Sequence, residues 1–226
     1  MKTGLINQKE NFLFDLDGVV LDSMHYHALA VAEACEKFKV KITKEDVLLN
    51  EGSLTFDVMK KIFERSSQTL TKETYFEIFK LHKKFFIEKY SKFVKPFDEI
   101  YEILVRLKNH NKKLALVTGS DQEIVNSDLP KNIKELFDVI ITADKINFRK
   151  PHPEPYQKAV SLLKATVLDS VAIENSTTGI AAAKNAGLFC IAVTTTLPKE
   201  YLSKADLILE NHIELKRYIF DGVYQL

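Results

Sequence analysis

Two hydrophobic periods divide the chain. The run Asn11-Phe12-Leu13-Phe14-Asp15-Leu16-Asp17-Gly18-Val19-Val20-Leu21-Asp22-Ser23 is apolar and rich in β-forming residues. It ends in two carboxylates at alternate positions, and a glycine then lets the backbone turn away. This predicts a strand that delivers two acids to a loop. Beyond Ser23 the spacing becomes helical. Ala28, Val31, Ala32, Cys35 and Phe38 fall on one face, with Ser23 placed to cap the first turn. Gly52 breaks the pattern. Val58, Met59, Ile62 and Phe63 form a second stripe, which Thr55 would cap. From Thr71, the residues Tyr75, Ile78, Phe79, His82, Phe85, Phe86 and Tyr90 mark one side of a long amphipathic helix. After Pro96 a helix carrying Ile100, Ile103, Leu104 and Leu107 should end near Asn109 to Asn111. Short apolar strands then alternate with helices: Leu114 to Val117, Val139 to Ile141, Val171 to Ile173, Phe189 to Val193 and Leu207 to Leu209.

Such alternation predicts a doubly wound α/β domain whose parallel sheet, including the opening strand, is covered by helices on both faces. The segment 23–94 reads as helices alone, enough for a small bundle. The expected organisation is therefore an α/β core built from residues 1–22 and 95–226, interrupted by a helical cap at 23–94. The hinges should lie near Asp22-Ser23 and Lys95-Pro96. No internal repeat or low-complexity segment is visible.

Composition narrows the class. A chain of 226 residues holds one large core, or a core with a small insertion. With 46% hydrophobic and 28% charged residues it has the balance of a soluble globular protein. No apolar run approaches bilayer length, and Met1-Lys2-Thr3-Gly4 lacks the apolar segment of a secretory signal. The expectation is a cytoplasmic protein, a monomer or small homo-oligomer, without membrane partners. A formal charge of +1 argues against a dedicated nucleic-acid surface but not against binding a small anion. Cys35 and Cys190 stand far apart in apolar patterns and read as small buried hydrophobes.

In an open α/β sheet the site lies beyond the carboxyl ends of the strands. If extension persists, Asp15 and Asp17 point the same way, and two adjacent negative charges call for a cation. A hard divalent ion such as Mg²⁺ suits carboxylate oxygens. The strand Leu114 to Val117 is followed by Thr118-Gly119-Ser120-Asp121. Hydroxyl and N–H donors there would cradle phosphate oxygens, with Asp121 capping the next helix. Lys150 stands between a loop and the proline-restricted segment Pro151-His152-Pro153-Glu154-Pro155-Tyr156, which would hold its charge in place. Glu174 and Asn175 end the strand at Val171 to Ile173.

These motifs carry a family resemblance. Phe-Asp-Leu-Asp-Gly-Val-Val-Leu-Asp-Ser resembles the opening signature of the haloacid dehalogenase-like superfamily, in the version of its phosphatase and phosphomutase branch. Thr118, Lys150-Pro-x-Pro-x-x-Tyr and Glu174-Asn175-Ser176 follow in the family's order. The resemblance implies that Asp15 is the nucleophile, Asp17 the acid and base, and Lys150 the cation that neutralises the transferring phosphoryl group. Thr118 would contact phosphate, with Gly119 and Ser120 assisting. It also implies a Mg²⁺ shell drawn from Asp15, Asp17, Glu174 and Asn175. Asn175 replaces the family's usual aspartate, so the site keeps an oxygen ligand and loses one negative charge.

The implied activity is hydrolysis of a small phosphorylated metabolite, in the manner of phosphoglycolate or sugar phosphatases. A β-phosphoglucomutase-like reaction is the alternative, since the opening motif, the cap placement and His27 are also similar to that enzyme. The matching cap segment Glu51-Gly52-Ser53-Leu54-Thr55-Phe56 carries no arginine to grip a second phosphate. A phosphonatase would need a cap lysine, to which no signature points. A catalytically weak sensor of phosphorylated ligands is the non-enzymatic alternative, motivated by Asn175. Arg149 is expected to be exposed or substrate-facing, His152 to be a loop residue, and His82, Lys83 and Lys84 to lie on a solvated face.

Overall fold

The computed structural model describes residues 4–50 and 54–222. Gly52, and with it half of the segment 51–56 compared with the mutases, lies outside the described residues.

Six parallel strands form one sheet in the order β3-β2-β1-β4-β5-β6. They are β1 (Asn11–Phe14), β2 (Lys113–Val117), β3 (Val139–Ile141), β4 (Ser170–Glu174), β5 (Phe189–Val193) and β6 (Leu207–Leu209). The registry pairs Phe14 with Leu116 on one side and with Ile173 on the other. Strand β1 is thus central, and the order reverses between it and β4. This is the doubly wound arrangement that the alternating pattern predicts.

The two-residue period of the strands sorts the core into two layers. Phe12, Phe14, Leu116, Ile173 and Val193 pack with Ile103 and Leu107 of α5 (Ile100–Asn109) and with Leu215 and Ile219 of α10 (His212–Asp221). On the opposite face Leu13, Ala115, Val117, Ala172 and Cys190 meet Tyr156 and Ala159 of α8 (Glu154–Leu162) and Ala182 of α9 (Thr177–Asn185). Small residues on this second face let α8 and α9 approach the sheet closely, which brings their N-termini to the strand ends. Helix α10 begins at Asn211, whose side chain accepts the Glu214 N–H at 3.0 Å. Asn211→Ala should cost about 1 kcal/mol, read as a lowered urea midpoint with an unchanged slope.

Between β1 and α5 lie α1 (Met24–Glu36), α2 (Lys44–Leu49), α3 (Phe56–Arg65) and α4 (Lys72–Phe85), the last running on into a π-helical turn at Phe86–Tyr90. They share an apolar cluster of their own, with Val31, Cys35, Met59, Phe63, Ile78 and Phe86 at its centre. Thr55 caps its helix as expected, accepting the N–H of Val58, and Thr71 does the same for the N–H of Thr74. The chain enters and leaves this unit at one place. Leu21 bridges Pro96 in antiparallel fashion, and the Asp22 N–H donates to the Lys95 carbonyl at 2.8 Å. Ile124 of α6 (Gln122–Asp128) joins the same cluster from the core side. No described helix is long and apolar enough to cross a membrane.

Candidate active site

Asp15 follows directly on β1, its N–H donating to the Ile173 carbonyl at 3.0 Å, so its carboxylate stands where the strand order reverses. Lys150 is buried and reaches it from the loop before α8. The Nζ lies 2.6 Å from Asp15 Oδ1, 2.6 Å from Glu174 Oε1 and 3.0 Å from the Val117 carbonyl. Burial pushes the Asp15 carboxyl up to about 7, although the charge of Lys150 pulls it down. Burial also opposes the ammonium of Lys150, but the charges of Asp15 and Glu174 outweigh it and hold the group firmly protonated.

Glu174 is completely buried and fully engaged. Its Oε1 also accepts from the Tyr156 hydroxyl at 2.6 Å, and its Oε2 from the Asn175 N–H at 3.1 Å. The first turn of α9 passes so close that a Cβ on Gly179 would lie 2.0 Å from this carboxylate. Burial and the charge of Glu174 raise the Tyr156 hydroxyl well above the usual range, so it stays a donor. Glu174, which the resemblance implies as a metal ligand, is the counter-ion that fixes Lys150, its oxygens facing the ammonium and the hydroxyl.

Asp17 faces a different set of groups, because extension ends at Phe14 and Gly18 turns the loop with φ +86°. Asp17 Oδ1 accepts from the Ser23 hydroxyl at 2.6 Å and lies 3.2 Å from His27 Nε2, while Oδ2 accepts from the Ser120 hydroxyl at 2.8 Å. Burial works to raise this carboxyl, but His27 and the hydrogen bonds from His27, Ser23 and Ser120 win and bring it down to about 2. Both oxygens thus carry hydrogen bonds, and the carboxylate keeps further lone pairs. Ser23 precedes α1 without capping it, since its hydroxyl is spent on Asp17.

His27 Nδ1 lies 3.1 Å from His82 Nε2, and its ring stacks on Phe86 at 3.8 Å and 5°. His82 is not on a solvated face. Burial, aided by the charge of His27, pushes its pKa down to about 3 and keeps the ring neutral. Asp128, the last residue of α6, is also buried, and its Oδ1 has no hydrogen-bond partner. Burial and the charge of Asp17 raise its pKa.

Thr118 is buried at the end of β2, and its Oγ1 accepts the Ser120 N–H at 2.9 Å, which closes the predicted cradle around Gly119. Thr118 keeps its O–H free to donate. Gly119 is exposed, with nothing within 4 Å of where a Cβ would stand. Asp121 does not cap α6. Its Oδ2 takes Lys83 of α4 at 3.2 Å, and Arg149 approaches its Oδ1 at 4.0 Å. Lys83 is therefore a contact between the helical insertion and the core. Arg149 and Lys84 are exposed, and His152 packs at a tilt against Phe148 in a surface loop.

Asp15 and Asn175 stand at the ends of the paired strands β1 and β4, and both carry oxygen donors of the kind a hard cation takes. Asn175 is fully buried, its Nδ2 donates to Thr196 Oγ1 at 2.7 Å, and its amide packs on Gly18, where a Cβ would fall 2.1 Å from that nitrogen. That orientation points the amide nitrogen at Thr196. One carboxylate with one neutral oxygen donor fits Mg²⁺, which keeps several waters and completes its shell from substrate phosphate. Sequence reasoning missed His82, Gly179 and Thr196. Only the first had a signal, a polar residue in phase with an apolar stripe.

The sheet order brings Asp15, Lys150 and Glu174 into one buried cluster at the carboxyl ends of the strands. A family model for haloacid dehalogenase-like hydrolases matches residues 12–193. The chain belongs to that family and resembles its β-phosphoglucomutase-like branch. Pyrophosphatase PpaX of Bacillus mycoides (strain KBAB4) is 28% identical over 208 residues, covering 90% of this chain and 93% of that protein. Among solved structures, a hydrolase from Pseudomonas syringae superposes with a TM-score of 0.84 at 19% identity, covering 96% of this chain and 100% of that one. The β-phosphoglucomutase of Clostridium difficile gives 0.74 at 25% identity, with 92% and 96% covered.

Proposed function

We propose that the chain is a Mg²⁺-dependent hydrolase of small phosphate monoesters that works through an aspartyl-phosphate on Asp15. The carrying observation is that buried Lys150 pins one oxygen of Asp15 while Glu174 holds the lysine from behind. A carboxylate aimed and charge-balanced in this way is built to attack phosphorus. An oxygen of Asp15 would bond to phosphorus as the bond to the leaving oxygen breaks, and Asp17, ionised in the arrangement described, would first take up a proton from solvent and then hand it to that oxygen. Water would then attack the acyl-phosphate and give a proton to Asp17, releasing inorganic phosphate and restoring Asp15. Lys150 and the Thr118 hydroxyl would balance charge on the phosphoryl oxygens. When bound by Asp15 and Asn175, Mg²⁺ would neutralise phosphoryl charge and orient the ester.

The names of its relatives guide the choice of substrates. A panel should include phosphoglycolate, sugar phosphates and pyrophosphate, the last because PpaX relatives carry that name. The absence of arginine from segment 51–56 favours hydrolysis over transfer between two phosphate positions. The expected result is phosphate release that requires Mg²⁺, stops with chelator and is lost in Asp15→Asn. Release that persists in Asp15→Asn would sink the covalent route.

A further inference from the structure

One cation beside the site has no work in the chemistry described so far. Arg149 directly precedes Lys150, and the backbone beneath it is held on both sides. The N–H groups of Asn147 and Phe148 donate to the Glu154 carboxylate at 2.9 and 2.7 Å, and the His152 N–H donates to the Arg149 carbonyl at 3.0 Å. The side chain thus starts from a fixed point. Its guanidinium reaches toward Asp121, the residue that follows the Thr118 to Ser120 cradle, but stops 4.0 Å from Oδ1, beyond hydrogen-bond length. Lys83 already neutralises Asp121 from 3.2 Å. Arg149 is therefore a surplus charge. Among the described residues its guanidinium donates no hydrogen bond, and 64% of the side chain is exposed.

The place it occupies is a seam. On the far side stands Tyr75 of α4, whose hydroxyl donates to the Leu54 carbonyl at 2.9 Å and feels the charge of Arg149. Arg149 lies between the helical unit and the phosphate cradle, next in the chain to the lysine that faces Asp15. A loose, half-exposed ion pair is worth little, so an incoming anion displaces Asp121 from it at small cost. The planar fork of an arginine matches a carboxylate or a phosphoryl group with two parallel N–H donors.

We propose that Arg149 is a specificity-determining residue whose guanidinium takes a second anionic group, a carboxylate or a phosphoryl, carried by the leaving part of the substrate. This deepens the phosphate-ester reading above and rests on it. Because Arg149 and Lys150 are neighbours, the two anionic groups they meet belong to one short molecule. The contact is to a part of the substrate that does not react, so it should act mainly on KM.

The test sets phosphoglycolate and pyrophosphate, each with a second anionic group, against ethyl phosphate, which has none. Their hydrolysis would be followed with Mg²⁺ for the wild type and for Arg149→Met. In the variant, kcat/KM for one or both anionic substrates should fall about tenfold further than for ethyl phosphate, as expected for loss of a charge-assisted hydrogen bond. An extra loss confined to phosphoglycolate would name the carboxylate as the group recognised, and one confined to pyrophosphate would name the phosphoryl. Equal losses on all three substrates would overturn the proposal, as would a wild type that hydrolyses ethyl phosphate at least as well as both others. A wild type that releases phosphate from none of them would instead overturn the reading of the site.

Discussion

Replacing Lys150 by methionine is expected to abolish turnover and to destabilise the fold together. The ammonium lies 2.6 Å from both Asp15 and Glu174, with only 8% of the lysine side chain exposed. Removing it leaves two carboxylates facing each other without water, and breaking a buried ion pair in this way costs about 3–5 kcal/mol. Chemistry suffers independently. Lys150 is the group that lowers the Asp15 pKa against burial, so its loss drives Asp15 further toward the protonated, non-nucleophilic form. Loss of a charge-stabilising group of this type lowers kcat by roughly 10²–10³. Urea denaturation and phosphate release on one preparation would check both. A variant within about 1 kcal/mol of the wild type would contradict the buried-pair account.

The second large effect should come from Gly179→Ala, a change that removes no polar group. A Cβ at Gly179 would meet Glu174 at 2.0–2.1 Å, on both oxygens and the carboxyl carbon. Alanine is the better helix former by about 1 kcal/mol, yet overpacking of this kind typically costs about 1–3 kcal/mol. Glu174 is held by Tyr156 and Lys150 and has nowhere to retreat. Net destabilisation is expected, with reduced kcat because Lys150 loses its anchor. Gly119→Ala is the internal comparison, since nothing lies within 4 Å of its Cβ. It should shift the melting temperature little. Equal shifts at both glycines would show that Glu174 is not packed as described.

Much of this arrangement was legible in the chain because it depends on local periodicity. Strand β1, the helix at Ile100 and the later strands follow from spacing of two and 3.6, and the strand ends placed Asp15, Thr118 and Lys150 at one edge. Where local reasoning failed, a distant partner decided. Ser23 and Asp121 stand at helix starts and have capping chemistry, but Asp17 claims the first, and Lys83 and Arg149 approach the second. A cap hydrogen bond is worth about 1 kcal/mol and gives way to a charged acceptor. The metal role of Glu174 is implied by the family resemblance alone. The burial of that residue by α9 and its hydroxyl partner Tyr156 are tertiary facts. His82 was in phase with an apolar stripe, but nothing nearby in sequence names His27 as its partner, 55 residues away.

The antiparallel bridge between Leu21 and Pro96 has a consequence for how such a protein can be rebuilt. Because the Asp22 N–H bonds the Lys95 carbonyl, the two ends of the helical unit lie side by side on the core. Closing a chain between adjacent ends depends only weakly on its length. The unit is in effect a cassette, open to exchange for a shorter or longer one without disturbing strand registry. A transplanted cassette that lacked a counterpart of His27 would fold onto the same socket and leave Asp17 short of one hydrogen-bond partner.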